Sequence, residues 1–208
     1  MDVRRTLLVS FCLLFVPACA FAAAQPLLIC YGDSITAGYG LPYGQSYPAD
    51  LQHLLNASGY HYQVRNMGSS GATTADALAS LPSVLRLRPA VVIVEFGGND
   101  GLRGLPLEQT RRNLDEVLTA LQNAHIEILL AGITLPPNYG QAYIDSFDQL
   151  FRALAEKHHV ALVPMIYKNL IHVPGTIQAD GIHPTAKGSA IIARTLLPYL
   201  KPMLKSRE

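Results

Sequence analysis

Val91-Val92-Ile93-Val94 is apolar and β-branched at consecutive positions instead of alternating with polar residues. A strand with that pattern is buried on both faces, as happens when helices cover both sides of a parallel sheet. Working outward from its full extent at 90–96, similar short apolar segments recur at 27–31, 62–66, 127–131 and 160–163, and each reads as a strand. Longer amphipathic stretches lie between and after them, at 48–58, 74–87, 107–124, 142–158 and 185–204. These read as helices, with breaks expected near Pro82 and Pro198, because proline lacks an N–H and its ring clashes with the preceding turn. The alternation predicts an α/β protein: a three-layer α/β/α sandwich, flavodoxin-like, around a mainly parallel five-stranded sheet. No repeat, low-complexity segment or linker interrupts it, so residues 25–208 read as one domain.

The chain has 208 residues, 50% of them hydrophobic and 15% charged, which suffices for a sizeable core and excludes a disordered chain. Its formal charge of +1, without a Lys/Arg cluster, argues against a nucleic-acid partner. At the start, Arg4 and Arg5 precede an apolar run over 7–16 and a small-residue stretch over 20–24, so residues 1–24 read as a secretory signal peptide cleaved after Ala22 or Ala24. That run is shorter than the roughly 20 residues a bilayer span needs, so no stable membrane span is expected. The mature protein is expected to be exported, periplasmic or secreted, and monomeric. Val16-Pro17-Ala18-Cys19 also has the look of a lipoprotein cleavage site, the alternative being a form anchored through Cys19. Of the three cysteines, Cys12 and Cys19 fall in the leader, leaving Cys30 as a buried strand residue and no intrachain disulfide.

Ligands of open parallel sheets bind at the carboxyl ends of the strands. Gly32-Asp33-Ser34-Ile35-Thr36 follows the first strand, Asn66-Met67-Gly68-Ser69-Ser70-Gly71 the second and Gly97-Gly98-Asn99-Asp100 the third, while Asp180-Gly181-Ile182-His183-Pro184 lies near the end. Acyl transfer needs a nucleophile, a base, a group that orients the base, and donors for a developing oxyanion. Ser34, at a strand-to-helix turn, is the candidate nucleophile. His183 is the candidate base, and Asp180, three residues earlier across a glycine turn, is its orienting carboxylate. Pro184 suits the first position of the next helix. Asn99 can offer its side-chain amide, and Gly71 and Ser34 their backbone N–H groups, to the oxyanion. Asp33 and Asp100 read as structural hydrogen-bond acceptors. Taken singly, each block has a plainer reading: a turn serine, a helix-capping Asp beside a surface His, a turn glycine, an Asn-Asp cap.

Together these blocks resemble the SGNH, or GDSL-type, hydrolases, in which Ser, Gly, Asn and His occur in that order, here Ser34, Gly71, Asn99 and His183. The first block has Ile35 where Leu is common in the family. The resemblance covers nearly the whole mature chain and is closest to the bacterial thioesterase/protease/lysophospholipase group, also described as arylesterases. It is supported by Gly38-Tyr39-Gly40-Leu41, by Gly98-Asn99-Asp100-Gly101-Leu102-Arg103-Gly104 and by Leu135-Pro136-Pro137-Asn138-Tyr139-Gly140. It implies a cofactor-free serine hydrolase with a broad, shallow site acting on aryl esters, acyl thioesters and lysophospholipids, so small-molecule or lipid acyl esters are the expected partners. It also implies that the 135–140 segment flanks an acyl groove and that 72–80 forms a mobile wall of it.

Other classes fit less well. His158, His159, His172 and His183 with Asp180 could suggest a metal, but no ligand spacing matches, and helix-end histidines exposed to solvent are the simpler reading. A dinucleotide site would need Gly-x-Gly-x-x-Gly after the first strand, which is absent. A non-catalytic binding protein on this scaffold would not need nucleophile, base and oxyanion donors together. Within the esterases, the runner-up is a carbohydrate acetylesterase of the cell envelope, disfavoured by the apolar Leu135, Pro136 and Pro137.

Overall fold

The computed structural model describes residues 25–205, so the leader reading, with Cys12 and Cys19, lies outside the described residues. The strands are β1 (Leu27–Gly32), β2 (Gln63–Gly68), β3 (Val91–Glu95), β4 (Glu127–Ala131) and β5 (Ala161–Val163). They form one sheet of order β2-β1-β3-β4-β5 in which every neighbouring pair is parallel. Ile29 sits opposite Val92 and Val92 opposite Ile128, which sets the register through the centre. All of β3 is buried, as its unbroken apolar run requires, whereas β2 at the edge carries exposed Gln63, Arg65 and Asn66. Cys30 is fully buried in β1.

The helices are α1 (Ser34–Ala37), α2 (Tyr47–Ala57), α3 (Thr74–Arg86), α4 (Gly98–Leu102), α5 (Leu107–Asn123), α6 (Gln141–His158) and α7 (Ala186–Leu200). α2 packs on α7, while α5 packs on both α3 and α6; with the sheet between the two groups, this is the three-layer sandwich. The strand order reverses between β1 and β3, and that crevice is where such a sheet binds ligands.

Several expectations are corrected. Neither Pro82 nor Pro198 breaks its helix; both lie inside, at α3 and α7. Proline's fixed φ is itself helical, and the buried Leu81 and Val84 beside Pro82, and Leu196 and Leu200 around Pro198, keep each helix docked despite the missing hydrogen bond. α7 then tightens into a 3-10 turn at Lys201–Met203. α1 and α4 are too short to leave a periodic pattern. The 72–80 segment, expected as a mobile wall of the groove, is mostly the start of α3, which a reciprocal capping box of Thr73 and Asp76 opens. Pro184 precedes the helix, whose N-cap is Thr185.

Candidate active site

β1 ends against Glu95 and α1, and Gly32 is required there because a Cβ would overlap Thr36 Oγ1 and Glu95. Asp33 caps α1 by accepting a 3.0 Å hydrogen bond from the Ile35 N–H, which turns Ser34 toward the crevice as the first residue of α1. A second turn, far along the chain, meets it. His183 Nε2 lies 2.9 Å from Ser34 Oγ, and His183 Nδ1 lies 2.7 Å from Asp180 Oδ2. The other oxygen of Asp180 accepts from the N–H groups of Ile182 (2.9 Å) and His183 (3.0 Å). Desolvation pushes the Asp180 carboxyl up, but these N–H groups and the imidazole outweigh it and hold it at about 2. An ionised Asp180 makes Nδ1 the protonated nitrogen, leaving Nε2 free to accept the Ser34 proton.

Asn99 enters from the start of α4, after Gly97, whose φ of 113° a side chain would strain. Its amide donates to Asp33 Oδ2 at 3.1 Å and to the Ala72 carbonyl at 3.0 Å. Gly71 adopts φ 82°, and its carbonyl accepts from Arg103 at 2.8 Å. The N–H groups of Ser34 and Gly71 have no protein acceptor among the described residues. Asp33 and Asp100 act as structural acceptors, as expected: Asp100 receives the Thr74 N–H at 2.9 Å and its hydroxyl at 2.5 Å, tying α4 to α3.

Ser34, Asn99 and His183 border a cavity of about 550 Å³. Its walls are apolar, with Ile35, Ile133, Leu135, Pro136, Ile171 and Ile177 among them. The 135–137 segment therefore flanks it as expected, whereas α3 and Gly71 contribute nothing to its lining. No group of three or more His, Cys, Asp or Glu among the described residues could hold a metal ion. The reading of His158 as solvent-exposed is wrong. It is 8% exposed, its ring bonded to Asp115 Oδ1 (2.6 Å) and Gln122 Oε1 (2.8 Å), because α6 turns that face onto α5; His159 is the exposed left-handed cap.

Three contributors escaped the sequence reading. Glu95, 1% exposed, accepts from Thr36 Oγ1 at 2.8 Å and receives the Asp33 N–H at 3.4 Å. Burial pushes its carboxyl and that of Asp33 upward, and the neighbouring Asp33 charge pushes Glu95 further in the same direction. A lone acid inside an apolar strand was the available signal. The Tyr39 ring packs against the His183 ring, tilted by 41° with centroids 4.6 Å apart, and Gln178 bonds to the chain around both. Tyr39 stands in the 38–41 segment, but nothing in its pattern pointed to the imidazole, and Gln178 stands in none of the sequence blocks.

The GDSL-like lipase/acylhydrolase family matches residues 30–191, a span that contains every residue of this site. The chain belongs to that family. Over 201 residues this GDSL-like hydrolase is 43% identical to the esterase TesA of Pseudomonas aeruginosa, with 96% of the chain and all (100%) of that protein covered. It is 36% identical over 184 residues to thioesterase 1/protease 1/lysophospholipase L1 of Escherichia coli K12, covering 88% of the chain and 87% of that protein. A crystal structure of TesA superposes with a TM-score of 0.82 at 42% identity, covering 86% of this chain and 100% of that one. The sandwich read from the alternation of segments is thus the fold of its GDSL-like relatives.

Proposed function

We propose that the protein is a serine esterase/thioesterase that hydrolyses acyl esters and thioesters, lysophospholipids and aryl esters included, through an acyl-enzyme on Ser34. The observation that carries this reading is the Asp180–His183–Ser34 relay, at 2.7 and 2.9 Å, opening on an apolar cavity of about 550 Å³. His183 Nε2 takes the Ser34 proton as Oγ attacks the carbonyl carbon, and the charge on the carbonyl oxygen meets the N–H groups of Ser34 and Gly71. Asn99 joins them by turning one amide hydrogen from Asp33 or Ala72 toward the oxyanion, since such contacts tighten only when substrate is bound. His183 then gives its proton to the departing alcohol or thiol. Water, deprotonated by His183, releases the acid in the second half.

The names of the esterase and thioesterase relatives support this class, and the apolar cavity supports fatty acyl groups over acetyl. The leader over residues 1–24 supports export, and in the periplasm the accessible donors are lysophospholipids and other lipid esters, not cytosolic acyl-CoA. No helix among the described residues is long and apolar enough to cross a membrane. Rates on p-nitrophenyl esters from acetate to palmitate, on palmitoyl-CoA and on a lysophospholipid, with Ser34→Ala as control, test the reading. Turnover of medium and long chains that vanishes in the variant is the expected result; turnover confined to acetate, or surviving in Ser34→Ala, overturns it.

A further inference from the structure

The His183 turn and the loop after α1 come from opposite ends of the chain, and the Gln178 side chain bonds them together. Gln178 Nε2 donates to the Tyr39 carbonyl at 2.8 Å and to the Pro184 carbonyl at 2.9 Å. Both partners can only accept, so the amide has one orientation, and its two hydrogens are both used. The Gln178 backbone adds its N–H to the His183 carbonyl at 2.8 Å, and its own carbonyl receives the Gly181 N–H at 3.1 Å. Residues 181, 183 and 184 are therefore all bonded to Gln178, and its amide ties them to Tyr39.

What the tie holds is the imidazole. Tyr39 is 53% exposed, yet its ring packs at a 41° tilt against the His183 ring with centroids 4.6 Å apart. Its backbone is anchored at the other end by a 3.0 Å bond from the Tyr39 N–H to the Ser34 carbonyl. One short path thus runs from the nucleophile through Tyr39 and Gln178 to the base. Gly40 keeps the path open, since a Cβ there would stand 2.6 Å from Gln178 Oε1. The Asp180 side chain, 38% exposed, bonds only within its own turn and so orients the ring without locating that turn on α1.

We infer that Gln178 is a positioning residue: by clamping the Tyr39 and Pro184 carbonyls it sets the His183 imidazole, flanked by the Tyr39 ring, against Ser34 Oγ. The inference rests on the proposed esterase reading. It acts on the proton transfers and not on substrate binding, because neither Gln178 nor Tyr39 lines the acyl cavity.

The test uses Gln178→Met, which keeps the length and removes both donors, with Tyr39→Ala and Tyr39→Phe beside it. Each is assayed well below its own unfolding midpoint with a p-nitrophenyl ester and with a fluorophosphonate that labels the active serine. Gln178→Met is expected to lower kcat about 10- to 100-fold, as small misplacements of a catalytic group do, with KM within about twofold and labelling of Ser34 slowed in proportion. Tyr39→Ala should share the defect and Tyr39→Phe, which keeps the ring, should restore it. Adding Tyr39→Ala to Gln178→Met should cost less than the two losses combined. An unchanged kcat in Gln178→Met, or a raised KM alone, overturns the inference while labelling of the wild type still upholds the esterase reading. A wild type that neither labels at Ser34 nor turns over esters overturns both.

Discussion

His183 Nε2 and Ser34 Oγ stand 2.9 Å apart although 149 positions separate them in the chain. The sheet makes the meeting happen: β1 delivers Ser34 to its carboxyl edge, and the segment between β5 and α7 returns to the same edge carrying His183.

Asp180→Asn should lower kcat by about 10²–10⁴-fold with little change in KM. One oxygen cannot serve both the backbone N–H groups and the ring, so the amide NH2 either faces those N–H groups or faces Nδ1 and favours the wrong tautomer. Steady-state kinetics at neutral pH decide it. Because the wild-type carboxyl is held at about 2, its titration should be invisible in the activity profile above about pH 4. A kcat within threefold of wild type would remove Asp180 from the relay.

Glu95→Gln should flatten the dependence of stability on pH. The folded carboxyl sits well above its ordinary 4.5, so above that pH the folded chain keeps a proton that the unfolded chain has released. Stability therefore falls as pH rises through the window between the two values, and a neutral amide removes that loss. Unfolding midpoints of both proteins from about pH 5 to about pH 8 measure the slopes; Asp33, also pushed up by burial, leaves a residual slope in the variant. Parallel curves would show that Glu95 is ionised in the fold.

Gly68→Ala should destabilise the protein by about 1–3 kcal/mol and reduce activity along with it. Its Cβ would overlap the backbone of Thr36 and Ala37, so β2 and α1 must separate and Ser34 must move. Denaturant unfolding read beside initial rates is the check, and a fully active variant of unchanged stability would contradict the packing of α1 on β2.

Ile171→Trp should shift chain-length preference. Ile171 lines the cavity yet is 45% exposed, so the larger side chain can be accommodated at the mouth without disturbing the core. Activity on p-nitrophenyl decanoate should fall about tenfold in kcat/KM, the scale on which a pocket discriminates chain length, while acetate hydrolysis stays within about twofold. Equal losses on both esters would place the acyl chain elsewhere.

The fold and the candidate site blocks were legible for a local reason. Consecutive burial in β3 and the helical period between strands are properties of neighbours in sequence, so they survive without tertiary information, and Ser34 and Asn99 could be placed after strands, and His183 in the turn before the last helix, from order alone. Limits appeared where packing overrules a local rule. Pro82 and Pro198 break helices in isolation, and here their apolar neighbours hold the helices in place. His158 resembles any helix-end histidine until α5 brings Asp115 and Gln122 to it.

The sequence alone therefore determined the α/β class, the parallel sheet and the candidate residues of the site, because hydrophobic periodicity and turn chemistry are short-range. Only the tertiary structure decided the 2.9 Å contact of Ser34 with His183, the buried Glu95 behind it, the apolar cavity and the Gln178 tie. Each depends on residues far apart in the chain, such as Tyr39 and Gln178 at a separation of 139, and it is closure of the sheet under its helices that brings such pairs together.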